Sequence, residues 1–212
     1  MLRTFFSPLL ITLLVINFLW LGTQFLKAEE IFQQRDHCVA YQTEETIFLF
    51  VESDVVGKTC EISAQIERKG EYIRLMVNFP ISSLDSGIDM RDEDVAEMLL
   101  AEAHPEISFI SDFIKEEQVS EALNKGSIIL AGVVKFAGRS QKVEFPLKIY
   151  EQSETWLVTG KLVTSFSEFG LELPSVLGGV IADTRDYLAL LVNLHFDRVQ
   201  GFAELRDAML SN

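Results

Sequence analysis

Apolar and polar residues alternate along most of the chain, and this period of two predicts β-strands. The clearest run, from Gln141 to Tyr150, places four apolar side chains on one face and mostly charged side chains on the other. Seven further segments are apolar or alternating: Thr46–Glu52, Thr59–Glu67, Tyr72–Phe79, Glu106–Ile114, Ser127–Phe136, Thr155–Phe166 and Tyr187–Asp197. Most are joined by short turns, which favour antiparallel neighbours.

One segment, from Ser83 to Phe109, interrupts this pattern with a helix. Gly87 marks a turn, and Asp89 is predicted as the helix N-cap, with Asp92 three positions later facing the unpaired amides. Three apolar residues then share one helical face: Val95, Met98 and Leu99. Pro105 ends the element. The polar stretch that follows the next strand predicts no more than one further helical turn.

Long strands with one apolar face need that face covered, and one helix cannot cover eight strands. The sequence therefore predicts an all-β fold, in which an elongated antiparallel eight-stranded barrel closes on itself and one short helix caps one end. Barrels of about eight strands are either filled by their own side chains or hold one small ligand.

The N-terminus is predicted to be a targeting segment. The apolar run Leu9–Leu21 is shorter than the roughly 20 residues that a membrane-spanning helix needs. Residues 1–28 are therefore expected to form a secretory signal cleaved after Ala28, with an uncleaved N-terminal anchor as the alternative. Either way we expect a periplasmic or secreted protein, with a barrel domain over 29–198 and a C-terminal tail over 199–212.

Composition limits the classes of partner. The 212 residues are 48% hydrophobic and 24% charged, which is typical of one globular domain with a substantial core. The net charge of −14, without any run of basic residues, disfavours nucleic acid and docking on anionic lipid heads. Contact with a membrane is expected only through an uncleaved N-terminus. The sequence leaves the oligomeric state open, a homodimer included.

The chain has two cysteines, Cys38 and Cys60. In an oxidising compartment an even pair favours a disulfide, and two separate buried thiols are the alternative. Two cysteines and three histidines do not have the spacing of a structural zinc site. We expect no metal site and no cofactor other than a bound lipid.

Two interpretations are open for the carboxylates of the helical segment. Calcium could bind a group of them, Asp85, Asp89, Asp92 and Asp94, although the EF-hand order is absent. The preferred interpretation is a structural motif in which Arg91 pairs with a neighbouring carboxylate and pins the helix across one barrel end. Its residues are Asp85, Gly87, Asp89, Arg91 and Asp92.

No catalytic residue is predicted. The sequence has no nucleophile elbow, no zinc-protease helix motif and no phosphate-binding loop. His195 alternates with apolar residues in the last strand, beside Asn193 and Asp197 on a polar outward face. It is therefore interpreted as a surface residue and not as a general base.

Four motifs, in order, resemble the signature of the YceI-like family: Ser83-Leu-Asp-Ser-Gly87 with Arg91-Asp92, His104-Pro105-x-Ile107-Ser-Phe109, Leu130-Ala-Gly-Val-Val-Lys135, and Gly160-Lys-Leu-Val-Thr-Ser-Phe-Ser-Glu-Phe-Gly170. The resemblance covers about residues 45–198. It implies a lipocalin-like fold and binding of a polyisoprenoid lipid. Asp94 and Glu168 depart from the family pattern, which usually has His and Asp there.

Because of this resemblance, the inward-facing apolar side chains are candidates for the lining of a lipid pocket. These candidates are Phe48, Phe50, Ile62, Ile66, Leu75, Val77, Phe79, Phe109, Val143, Phe145, Leu147, Trp156, Val158, Leu162, Phe166, Leu190 and Val192. The expected function is non-enzymatic binding of one long apolar lipid, of polyisoprenoid or isoprenoid-quinone type. The alternative is a filled barrel that presents an acidic surface to a protein partner, with the apolar loop 170–183 as a contact patch. The same loop could equally be a flap over the mouth of a pocket.

Overall fold

A computed structural model describes residues 31–33, 35–47, 51–152, 155–176 and 182–210. Its strands are β1 Cys38–Ile47, β2 Val51–Thr59, β3 Ser63–Lys69, β4 Tyr72–Pro80, β5 Glu106–Ser111, β6 Ile114–Lys115, β7 Ser127–Phe136, β8 Arg139–Gln152, β9 Thr155–Thr164, β10 Ser175–Val176 and β11 Ala182–His195. Its α-helices are α1 Asp89–Met98, α2 Glu116–Lys125 and α3 Phe202–Leu210, and two 3-10 turns span Ile81–Ser83 and Phe196–Arg198. Every one of these elements lies in the compact unit Arg35–Asn212.

The strands form one curled antiparallel sheet in the order β2-β1-β11-β9-β8-β7-β5-β4-β3. The short strands β6 and β10 pair with β4 and β11. The predicted all-β antiparallel class is confirmed, but the predicted count of eight is wrong, because the described residues contain eleven strands. Two of the additional strands arise because the predicted strands Thr46–Glu52 and Glu106–Ile114 are each divided in two, and the third, β10, lies in the predicted loop 170–183.

The two outermost strands, β2 and β3, do not pair with each other along the described part of the sheet. Each is instead bonded to a short segment from elsewhere in the chain. Lys58 of β2 exchanges two backbone hydrogen bonds with Asp85, at 2.9 and 3.0 Å. On β3, the Ile66 amide donates to Gln200 at 2.8 Å, and the Gln200 amide donates to Ala64 at 2.9 Å. These bonds hold β2 and β3 to other segments and do not join the two strands, so in the described residues the sheet is a curled half-barrel and not the closed barrel that the sequence predicts.

The start of the domain differs most from the sequence prediction. The predicted strand Thr46–Glu52 is two strands, β1 and β2, and the predicted strand Thr59–Glu67 starts only at Ser63. The physical reason is that β1 buries polar side chains, Thr43 and Glu45, and has a register shift against β11 between them. The buried polar side chains and the register shift both interrupt the alternation of apolar and polar residues by which a strand is identified in a sequence.

A disulfide joins Cys38, the first residue of β1, to Cys60, just after β2. The two cysteines have a Cα–Cα distance of 4.1 Å. The bond ties the two ends of the β1–β2 hairpin together, at the edge of the sheet where β2 has no neighbouring strand.

Two helices extend beyond the sequence prediction. The expected single turn near residue 116 is the ten-residue helix α2. The Lys115 amide donates to the Gln118 side chain at its start, and left-handed Gly126, at φ 69°, ends it. The expected C-terminal tail contains α3, which buries Phe202 and Leu205 against the sheet. For 199–212 the sequence predicts a short tail with a frayed helix, and α3 is more firmly packed than that, because two apolar residues at helical spacing are buried in the core.

The buried residues form two clusters inside the curl of the sheet. One cluster lies beside α2 and α3 and contains Trp156, Leu194 and Phe202. The other lies beside α1 and contains Leu84, Leu99 and Phe169. No helix in the described ranges is both long and apolar enough to cross a membrane.

Candidate functional site

A cavity of about 340 Å³ lies inside the curled sheet, which is within the usual range for small-molecule sites. Its walls include alternate residues of β11: Leu188, Leu190, Val192 and Leu194. At about 3.4 Å per residue, these side chains extend over about 20 Å. The cavity is therefore long, runs along the strands, and has the dimensions of a site for a chain-like ligand.

The structure brings together many of the predicted lining residues. Those that line the cavity are Leu75, Val77, Phe79, Phe109, Phe145, Leu147, Val158, Phe166, Leu190 and Val192. Others lie in the apolar clusters without lining it: Ile62, Ile66, Val143, Trp156 and Leu162. Phe48 and Phe50 lie outside the described residues. That the lining residues hold a lipid stays a prediction.

Sequence reasoning missed other lining residues. The strand β7 contributes Val134, and the helix α1 contributes Val95, Met98 and the following Leu99. Val134 alternates with Phe136, an aromatic residue that also lines the cavity, but β7 is apolar on both faces, so alternation alone does not identify its inner face. The helical stripe was recognised only as a packing face.

The end of the cavity at Val158 and Leu194 adjoins a group of aromatic side chains in the same apolar cluster. The Phe202 ring of α3 packs edge-on against Trp156, with centroids 4.8 Å apart. Phe196 completes the group at 5.9 Å from Trp156 and 5.6 Å from Phe202. Aromatic rings in such edge-to-face groups are favourable packing partners. None of the three rings lines the cavity, so they pack behind the residues that form this end of its wall.

The helix α1 lies against the other end. Its residues at helical spacing, Arg91, Asp94, Val95 and Met98, all line the cavity. Two apolar residues beside its start, Ile88 and Met90, also line the cavity while 49% and 67% exposed. Partly exposed lining residues mark this end as the mouth. The loop after β9 also contributes to the lining here, through Leu171 and Pro174.

The segment before α1 is held by side chain to backbone bonds. The Asp85 carboxylate accepts from the Gly87 amide at 2.7 Å, and Gly87 has φ 78°, which favours glycine. The predicted N-cap at Asp89 is wrong. The cap residue is Ile88, which makes no side-chain cap bond, and the Asp92 carboxylate instead accepts from the Ser86 amide at 3.0 Å.

Arg91 pairs across the mouth with a residue of β1. Its guanidinium lies 3.8 Å from the Glu45 carboxylate, and the two side chains are 26% and 10% exposed. The predicted role of Arg91 as an anchor for the helix stays a prediction, and the pairing with Glu45 supplies its geometry. Glu45 was not predicted as a partner, because it precedes the helix by more than forty positions.

Tyr41 lines the cavity near the same ion pair. Burial first, and then the carboxylates of Asp92 and Glu45, raise the pKa of Tyr41 to about 12, while Arg91 acts in the opposite direction. The phenol is therefore protonated at neutral pH. Its ring lies over Gly57 on β2, where an added Cβ would come within 2.2 Å of the ring. Because Gly57 has no side chain, the Tyr41 ring occupies the space where a Cβ atom of residue 57 would lie.

The other predicted polar residues lie away from the cavity. Asn193 lies on the face of β11 opposite the lining residues Val192 and Leu194. It is buried there and not at the surface, and its amide donates to the Asp36 carbonyl of the segment before β1. The His195 amide donates to the His37 ring at 3.1 Å, and burial lowers the pKa of His37, with Arg198 and His195 acting in the same direction. Together these bonds fasten the segment before β1 to β11.

The aspartates considered for calcium do not converge within the described residues. Metal-type donors from three residues come within 4.8 Å of one another only at Asp36, Cys38 and Cys60, and the two sulfur atoms there are bonded to each other. Asp85 and Asp92 instead accept backbone hydrogen bonds.

Known proteins resemble this chain in sequence pattern and in fold. The family model for the YceI-like domain matches residues 39–194. The chain belongs to the YceI-like family. This match confirms the resemblance found in the sequence, and it spans the curled sheet from β1 to β11.

Solved structures share the YceI-like fold at low identity. BcnA of Burkholderia cenocepacia matches with a TM-score of 0.55 and 16% identity, over 74% of this chain and 95% of that one. A polyisoprenoid binding domain from Saccharophagus degradans, implicated in plant cell wall breakdown, matches at 0.55 and 12%, over 74% and 92%. The Campylobacter jejuni YCEI protein matches at 0.52 and 16%, over 68% and 84%. No curated protein matched the sequence.

The two departures from the YceI-like pattern have different surroundings. Asp94 lines the cavity at the mouth. Glu168 lies in the turn after β9, where its carboxylate accepts from the Thr164 hydroxyl at 2.6 Å. The first departure changes the charge of the candidate site, and the second serves a local turn.

Proposed function

We propose that this protein is an exported, non-enzymatic carrier that holds one long apolar lipid, of polyisoprenoid or isoprenoid-quinone type, inside its curled sheet. The observation that carries the proposal is the long apolar cavity of about 340 Å³, whose wall includes partly exposed residues beside α1. A chain-like ligand enters such a site lengthwise and buries its apolar surface, which is the dominant favourable term in its binding.

The alternative, a filled barrel with an acidic docking surface, requires a packed interior. The described residues leave a cavity between two apolar clusters instead, so the carrier is the better supported function. The loop over 170–183 was proposed as a contact patch. Its described part contributes Leu171 and Pro174 to the cavity wall, which favours a role at the mouth.

Export is supported by two observations. The apolar N-terminal segment is typical of a secretory signal, and it lies outside the described residues. The disulfide between Cys38 and Cys60 is a bond that persists in oxidising compartments. Cell fractionation of the native host, with N-terminal sequencing of the exported protein, tests both the periplasmic or secreted location and the cleavage after Ala28.

The binding test compares two substitutions of the same residue type. Val192→Trp places a large side chain in the cavity, whereas Val163→Trp changes a residue that is 59% exposed on β9. Each protein is purified from its native host, extracted with organic solvent and examined by mass spectrometry. We expect one lipid per wild-type and Val163→Trp molecule, and a large loss in Val192→Trp. If the wild-type protein carries no stoichiometric lipid, the proposal is wrong.

A further inference from the structure

The polar residues of the cavity wall all belong to two elements. The strand β1 contributes Tyr41, Thr43 and Glu45, and the helix α1 contributes Arg91 and Asp94, while every other lining residue is apolar. The cavity therefore has one apolar end and one polar end. Such a division suits an amphiphile whose head lies between β1 and α1.

The Tyr41 hydroxyl is a buried polar group without a partner. This hydroxyl forms no hydrogen bond with any residue that the structure describes. Buried hydroxyl groups are normally paired, because an unpaired one loses its bonds to water without replacement. Thr43, the next lining residue along β1, is different, since its hydroxyl donates to the Tyr187 carbonyl at 2.8 Å.

The charges at this end are mainly negative. Arg91 is the one cation among the lining residues of the described cavity, and it is already paired with Glu45 at 3.8 Å. Asp94 adds a second carboxylate to the wall. An anionic phosphate or carboxylate head would meet these charges in a partly desolvated site, where repulsion between like charges is strong. A neutral head group is not subject to this electrostatic repulsion.

We propose that the polar end selects a neutral head group that carries a hydrogen-bond acceptor, such as a quinone carbonyl, and that the Tyr41 hydroxyl donates to it. This inference rests on the proposed function, since it concerns the head of the same lipid. It assigns Tyr41 as a specificity-determining residue, with Asp94 and Glu45 excluding the lipid phosphates and diphosphates.

The test uses two probes with the same apolar chain and different heads. One is a menaquinone with a geranylgeranyl side chain, and the other is geranylgeranyl diphosphate. Each is titrated into the full-length delipidated protein. We expect the wild-type protein to bind the menaquinone at least about tenfold more tightly, because a diphosphate must overcome charge repulsion. The variant Asp94→Asn should reduce this preference.

Tyr41→Phe tests the hydrogen bond itself. Loss of one neutral hydrogen bond weakens binding by about fivefold, so we expect that loss for the menaquinone and no change for the diphosphate. The matched control, Tyr150→Phe, alters an exposed tyrosine outside the cavity. Because the Tyr41 hydroxyl is unpaired in the unliganded protein, its removal should not lower the melting temperature, which separates a binding effect from misfolding.

The outcomes separate this inference from the proposed function. Equal affinity for both probes, tighter binding of the diphosphate, or an unchanged menaquinone affinity in Tyr41→Phe would overturn the head-group inference and leave the carrier function standing. If neither probe binds the wild-type protein, and no lipid is recovered from its native host, the carrier function fails and the inference fails with it.

Discussion

Substitution of Phe202 tests whether α3 supports the cavity wall. The Phe202 side chain is 4% exposed and packs against the rings of Trp156 and Phe196 at 4.8 and 5.6 Å. Truncating a buried phenylalanine to alanine costs about 3–5 kcal/mol, depending on how far the site can collapse. The helix is the last described element and can shift inward, so we expect Phe202→Ala to cost about 3 kcal/mol.

Such a loss is measurable by urea unfolding and by thermal melting. For a chain of this size, about 3 kcal/mol corresponds to a decrease of about 6–12 °C in the melting temperature. The matched control is Glu204→Ala, at an exposed position in the same helix, which should change stability by no more than about 0.5 kcal/mol. Bound lipid should also leave Phe202→Ala faster, because the packing behind this end of the cavity wall is lost.

One result would refute this reasoning. If Phe202→Ala unfolds at the same urea concentration as Glu204→Ala, then α3 contributes nothing to the core, and the aromatic group does not support the cavity wall. If stability falls but lipid retention is unchanged, the helix stabilises the domain without supporting the site.

Three further predictions concern the ion pair, the disulfide and the buried phenol. Arg91→Ala should cost about 1–2 kcal/mol in urea unfolding, since it leaves the largely buried Glu45 carboxylate without its counter-charge. Replacing Cys38 and Cys60 together by alanine should cost about 3 kcal/mol in the same assay, from the closed loop of 22 residues. The pKa of Tyr41 is raised to about 12 from an ordinary 10. The protonated phenol therefore makes its full contribution to the free energy of unfolding below pH 10, and this contribution is lost progressively as the pH rises towards 12.

Each of these predictions has its own control. Glu45→Gln should make Arg91→Ala nearly neutral, and a full loss in that background would show that the pair is not coupled. Reduction of the wild-type protein should reproduce the alanine double variant; equal stability of the reduced and oxidised forms would contradict the disulfide prediction. Tyr41→Phe should remove part of the alkaline loss, and an unchanged pH profile would assign it to other groups.

The sequence predicts well the strands whose run of apolar or alternating residues is uninterrupted. The predicted strand Ser127–Phe136 has the same bounds as β7, and the predicted strand Tyr72–Phe79 ends one residue before the end of β4. In these segments each inward side chain is apolar, so the local pattern and the final burial agree. The cavity lining follows from the same rule, which is why many of the predicted lining residues meet there.

Prediction fails where burial depends on distant partners. β1 turns Glu45 inward because Arg91 meets it from α1, and nothing near Glu45 in the sequence indicates that contact. α3 is nine residues long, and its two buried side chains become core residues only when Trp156 is in place. Asp89 has the right chemistry for an N-cap, but the backbone places Ile88 there instead.

The pairing of β1 with β11 has a consequence for how the domain folds. Cys38 of the first strand lies opposite Asn193 of the last long strand, so the β1–β2 hairpin cannot join the rest of the sheet until nearly the whole chain is available. The strands from β3 to β9 pair with near neighbours in the chain and do not have to wait for β11. Pairing between distant segments slows folding, because the connecting loop must be closed first. Since β1 and β11 both line the cavity, the complete cavity forms late in folding.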